Sequence, residues 1–232
     1  MIPIRDENPT RKVAWVTALL LIANIAVFVY ESTLTPSGLE AFVTQWGLVP
    51  SRFLADPFSP AQIATVFTSM FLHAGWLHVI GNMLYLWIFG NNVEDRLGPI
   101  GFIAFYLATG VAAAAAQIAT TGATSVPTVG ASGAIAGVLG AYVVLFPGAA
   151  VLTIVPIFFF IEIARVPAFL VIGFWFLLQV GNGVASLGAD VAQTGGVAWF
   201  AHIGGFVLGV LIALVIAAHD SMSRPRYRGG WR

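Results

Sequence analysis

The sequence has no cysteine and very little charge. Without cysteine there can be no disulfide, no thiolate nucleophile and no Cys-ligated metal, and redox chemistry says nothing about compartment. Ten basic and ten acidic residues make up 9% of the 232 residues, where a soluble domain carries about 25%. A larger soluble core cannot absorb such a deficit. With 59% hydrophobic residues and a mean hydropathy of +0.91, the solvent expected is lipid. The formal net charge is zero, so the basic surface that a nucleic acid would require is missing and no nucleic-acid partner is expected. There is no HExxH pattern and no internal repeat. The first leaves a zinc protease without its ligands, and the second leaves a small transporter without its usual architecture.

What the chain does have is a series of apolar runs. A polar leader, 1–12, holds Arg5, Arg11 and Lys12. A first span is expected over 13–30, retained rather than cleaved as a signal peptide. Residues 31–66 are too broken by proline and charge to span, yet rich in Phe, Leu and Trp. They fit an interfacial loop with short amphipathic helices. Further spans are expected over 67–91, 100–119, 132–146, 168–184 and 197–218. The stretch 148–166 is expected to lie at the membrane surface or half inserted, and 220–232 forms a basic tail. The fold class is therefore all-α: one polytopic membrane domain over 13–219 with six transmembrane helices. The leader, the turn at Arg96, the loop at Arg165 and the tail hold nine of the ten Lys/Arg residues. The positive-inside rule then makes both termini cytoplasmic.

Polar side chains within spans are costly and mark function by default. Here they are His73, His78 and Asn82 in the second span, Ser132 at the start of the fourth and His202 in the sixth. All lie toward the outer ends of their spans. The fourth span is short, about 22 Å of helix against a hydrocarbon core of about 30 Å. The turn Gly130-Ala131-Ser132-Gly133 must therefore dip into the membrane beside a wet cavity. Ser132, Ala136 and Gly140 form one bare stripe, and His202, Gly205 and Gly209 another. Two bare faces let helix backbones approach closely, which would bring His202 within reach of Ser132 as its base. His78 and Asn82, at i and i+4, share a helical face. With the Ser132 backbone N–H they could hold an oxyanion. His73 lies about 140° around that helix and should point elsewhere. No Asp or Glu is found at this depth, Glu94 and Asp190 being the nearest, so a Ser-His dyad is expected rather than a triad.

These residues resemble those of the rhomboid family of intramembrane serine proteases. GxSG matches Gly130-Ala131-Ser132-Gly133, AHxxGxxxG matches Ala201 to Gly209, and HxxxxHxxxN matches His73, His78 and Asn82. The resemblance implies a six-helix core in which Ser132 (nucleophile) and His202 (base) cleave single-span or multi-span membrane proteins near the outer face. It also implies oxyanion duty for His78 and Asn82 and structural roles for His73 and Glu94, with no cofactor and no metal. Gly130, Gly133, Gly205 and Gly209 support the site by the same motifs. The fifth helix would be a lateral gate. The membrane expected is a prokaryotic plasma membrane, with the site opening to its extracytoplasmic side. Two departures stand out. Ala64 and Thr65 replace a Trp-Arg pair, and Ala136 replaces a tyrosine that stacks on the imidazole. An inactive rhomboid-like binding protein is the alternative, and the intact Ser132 and His202 weigh against it.

Overall fold

A computed structural model of the chain describes residues 1–157, 160–187 and 196–223. Its longest element is a 46-residue helical segment, α5 (Trp76–Thr121), broken once at Gly98. There the backbone has φ 71° and the next residue is Pro99. Proline has no N–H to donate and disfavours a helical conformation at the residue before it. Glycine takes the positive φ that results without strain. α5 therefore has two arms, 76–97 and 99–121, meeting at the polar turn that the sequence places between the second and third spans.

That turn also fixes the N-terminus. α1 (Trp15–Thr33) has no side-chain cap of its own. The Glu94 carboxylate fills this role, accepting from the N–H groups of Val16 (2.9 Å) and Thr17 (2.7 Å) and from the Thr17 hydroxyl (2.8 Å). Backbone donors at a helix start have no internal acceptor, and the positive end of the helix favours the charge. Asp95 accepts from the N–H groups of Arg11 and Lys12, and Arg96 pairs with Asp220 on the last helix.

The chain is mostly helical, but the all-α expectation needs one correction. β1 (Ile2–Asp6), β2 (Ala150–Ile157) and β3 (Phe160–Pro167) form an antiparallel sheet in the order β1-β2-β3. Ile2 faces Ile154, and Ile154 faces Ile163. Five residues of the polar leader are thus strand, and the stretch 148–166, expected at the membrane surface or half inserted, holds two antiparallel strands. A continuous apolar run does not distinguish a strand from a buried or half-inserted helix, and this is why hydropathy missed them. Asp6 closes the corner by accepting from the Tyr142 hydroxyl at 2.6 Å. Burial pushes its carboxyl above the ordinary range, against the lowering effect of that bond.

Between residues 31 and 75 lie α2 (Pro36–Trp46), α3 (Pro50–Ala55), α4 (Pro60–Thr68) and a 3-10 turn (Ser69–Phe71), each of the three helices with proline in its first turn. Proline suits the start of a helix because its missing N–H would have no partner there. The loop is anchored by backbone pairing where the Trp-Arg pair is absent. Leu48 and Thr128 exchange two hydrogen bonds, and Ser51 N–H donates to Thr124.

The core sits around α6 (Ser132–Leu145), buried from Gly133 to Tyr142. A helix apolar on every side belongs in the interior. Around it pack α5, α7 (Ala168–Ser186) and α8 (Trp199–Ser223). α1, α5, α7 and α8 are long and apolar enough to cross a membrane by length and composition. Leu19, Ile22, Leu177, Leu211 and Val215 stay exposed on their outer faces, as lipid contact requires. The part of the expected tail beyond 223 lies outside the described residues, and so does Asp190.

Candidate active site

Gly130 sets up the site. Its φ is 126°, a region closed to most side chains. A methyl group there would stand 2.7 Å from the His78 ring. Its N–H donates to Ser69 at 2.8 Å, which ties the turn to the end of the long loop. α6 then begins at Ser132, whose N–H has no acceptor within its own helix.

α8 meets α6 through bare backbone. A methyl group at Gly205 would overlap the carbonyl oxygen of Gly133, and one at Gly209 that of Gly137. Only glycine permits this approach. One turn above Gly205, His202 Nε2 lies 2.8 Å from Ser132 Oγ. Two residues seventy positions apart thus form a hydrogen-bonded pair, half-buried and at the edge of a cavity of about 910 Å³. His78, Asn82, Tyr85 and Trp175 line the same cavity.

The other expected residues take more varied positions. His78 Nδ1 accepts from the Ala74 N–H at 3.4 Å, so its ring proton belongs on Nε2, the side that faces Gly130. Asn82 lines the cavity, but its amide meets His73 Nε2 at 2.9 Å. His73 was expected to point elsewhere, and the structure corrects this. It lies before α5 begins at Trp76, so helical periodicity does not apply to it, and its ring stands 5.0 Å from that of His78. Glu94 lies at the far end of the first arm of α5, near the Gly98 break, on the N-terminus of α1.

Two residues were missed. Glu31, assigned to the loop, is the third-last residue of α1 and only 2% exposed. It accepts from the His73 N–H at 3.1 Å, so a carboxylate does lie at this depth. Gln179 on α7 was passed over entirely. Its Oε1 is 2.7 Å from His202 Nδ1. Where Ala136 leaves no stacking ring, Trp175 and Trp199 stand 5.8 Å and 6.3 Å from the imidazole. A serine hydroxyl, an imidazole and a third oriented group, beside donors that could hold an oxygen, are what acyl transfer needs.

Residues 60–219 match the rhomboid domain. The chain belongs to the rhomboid family. It is 30% identical over 217 residues to the mitochondrial rhomboid protein 1 of Saccharomyces cerevisiae, covering 89% of this chain and 55% of that one. It is 33% identical over 111 residues to the mitochondrial presenilin-associated rhomboid-like protein of Mus musculus, covering 47% and 29%. Against the chloroplastic rhomboid-like protein 11 of Arabidopsis thaliana it is 30% identical over 133 residues, covering 57% and 43%. The rhomboid chain thus spans about half the length of its yeast relative and less of the others. These relatives overturn the expected prokaryotic plasma membrane, since their names place them in mitochondria and chloroplasts. Hydropathy and charge reveal that a membrane is present but not which one.

Proposed function

We propose that this rhomboid protein is a serine endopeptidase that hydrolyses peptide bonds in membrane-spanning segments of other proteins. The observation that carries this reading is the 2.8 Å contact between Ser132 Oγ and His202 Nε2. In the proposed reaction Ser132 Oγ attacks the scissile carbonyl carbon and its proton passes to His202 Nε2. The carbonyl oxygen, now anionic, is held by the Ser132 N–H, the His78 Nε2–H and the free amide hydrogen of Asn82. His202 then returns the proton to the leaving amine. A water molecule, activated by the same imidazole, hydrolyses the acyl ester and restores Ser132.

The membrane reading goes with it. The proposed six crossings are α1, the two arms of α5, α6, α7 and α8. Both termini lie on the face bearing Arg11, Lys12, Arg96 and Arg165. The cavity opens on the opposite face of an organellar membrane. Lining residues such as Leu77 and Tyr85 of α5, Trp175 of α7 and Leu187 just after it support a lateral route for substrate between those helices.

The test is reconstitution in lipid vesicles with a library of single-span proteins, together with labelling by a serine-reactive fluorophosphonate. Wild type is expected to cleave and to label. Ser132→Ala should do neither, and His202→Ala should label at least about a hundredfold more slowly. Normal labelling of His202→Ala would remove the dyad. A wild type that binds span segments without cleaving them would leave a binding protein instead.

A further inference from the structure

Gln179 is buried, 6% exposed, on a helix whose neighbouring residues Leu177 and Leu178 face outward. An uncharged polar side chain in such a place needs a reason. Its amide makes two contacts. Nε2 donates to the Trp175 carbonyl one turn earlier, at 3.2 Å. Oε1 faces His202 Nδ1 at 2.7 Å. The first contact fixes the second. Turning the amide over would set its oxygen against the Trp175 carbonyl oxygen, two acceptors with no proton between them. With Oε1 held toward the imidazole, Nδ1 must carry the proton. Nε2 is then the acceptor, and Nε2 is the atom 2.8 Å from Ser132 Oγ.

We infer that Gln179 is a positioning residue: by accepting from His202 Nδ1–H it holds the imidazole in the one tautomer and orientation that can take a proton from Ser132. This rests on the serine protease reading above. The choice of an amide suits the location. A carboxylate would select the same tautomer, but leaving a second charge in an apolar span costs far more than a satisfied amide does. The placement has a further consequence. Ser132 and His202 stand on α6 and α8, whereas Gln179 stands on α7, which flanks the cavity. The base is fully set only when α7 lies against the bundle, so displacing α7 to admit a substrate also disarms the imidazole until α7 returns.

The experiment uses the full chain in lipid vesicles. Fluorophosphonate inactivation of wild type, Q179L and Q179E is followed over pH 5–9, separating the maximal rate from the concentration giving half of it. Q179L preserves bulk but not the acceptor. Its maximal rate is expected to fall about ten- to a hundredfold, the loss of one buried hydrogen bond, with half-saturation unchanged within about twofold. Q179E restores the acceptor and adds a charge. Its maximal rate above pH 8 should return to within about fivefold of wild type, and the acid limb of its profile should move up by about one pH unit or more. A mere packing role predicts that Q179L behaves as wild type, and that result overturns the inference while the protease reading stands. So does a Q179E acid limb superimposed on the wild-type one, which decides the matter even if Q179L does not fold. A wild type that never reacts at Ser132 removes the protease reading and this inference together.

Discussion

Two seams meet at His202, and they are built differently. Toward α6, α8 presents backbone to backbone. Gly205 and Gly209 lie against the carbonyls of Gly133 and Gly137, and Gly140 against that of Phe206. Toward α7, the contact runs through side chains. Phe176 stacks on Phe206 at 4.1 Å, and a methyl group at Gly183 would meet Trp199 Cβ at 3.3 Å. The first seam has no adjustable part, because a helix backbone cannot change rotamer. The second can be opened by turning side chains. Ser132 and His202, the proposed nucleophile and base, sit on the rigid seam, and Gln179, proposed to orient the imidazole, sits on the adjustable one. The proposed reaction, in which two atoms stay at hydrogen-bond distance while a substrate enters from the side, would need both kinds.

The most damaging way to break this contrast is Gly205→Ala. The added methyl overlaps the Gly133 carbonyl oxygen, and neither helix can yield except by moving apart. Overpacking typically costs about 1–3 kcal/mol, and with backbone as the obstacle the upper end applies. A midpoint of thermal unfolding in detergent lowered by about 6 °C or more is expected. Fluorophosphonate labelling of Ser132 should fall at least about a hundredfold, since a displacement of about 1 Å between reacting groups is worth that much. A Gly205→Ala protein with wild-type midpoint and labelling would mean that the seam is not rigid.

The rigid seam was also the part most legible in the sequence. Ser132, His202, Gly205 and Gly209 are identifiable because bare stripes at helical spacing, each ending in one reactive residue, have few other meanings in an apolar chain. The break before the third span could be read too, from the polar turn at Arg96. The adjustable seam was illegible. Gln179 is one amide in an apolar run, and its partner is 23 residues away across a contact with no motif. Its signal was weak but present: an uncharged polar residue four after Trp175 in a span. Glu31 was hidden by a boundary, because a carboxylate after a hydrophobic run reads as the start of a loop. Yet Thr17, Asn24 and Glu31 are all buried on α1 at intervals of seven, a polar line facing inward. The sheet was illegible for a different reason. The pairing of β1 with β2 is a relation between residues about 150 apart, and local pattern carries no trace of it.

A smaller effect is expected on the adjustable seam itself. Phe176→Ala removes the stacked pair with Phe206. Such pairs contribute about 0.5–1.5 kcal/mol beyond the area they bury, and lipid fills part of the space left. The unfolding midpoint should drop by about 2–5 °C. Labelling of Ser132 should stay within about fivefold of wild type, because nothing in the α6–α8 contact has changed and only the seating of Gln179 is loosened. A loss as large as that of Gly205→Ala would show that the two seams are mechanically one.

The smallest effect comes from a glycine on α7 that neither seam uses. Around Gly181 an added methyl would meet nothing within 4 Å. Alanine is the better helix former by up to about 1 kcal/mol, and at an exposed position no packing term opposes it. Gly181→Ala should therefore leave the midpoint unchanged or raise it by about 2 °C, with labelling within about twofold of wild type. Gly181 and Gly205 are the same residue type in neighbouring apolar helices, and substitution to the same residue should separate them by direction as well as size. If Gly181→Ala instead slows labelling at constant midpoint, α7 must bend at Gly181 during the reaction. The adjustable seam would then extend into the helix backbone, beyond the side chains that now define it.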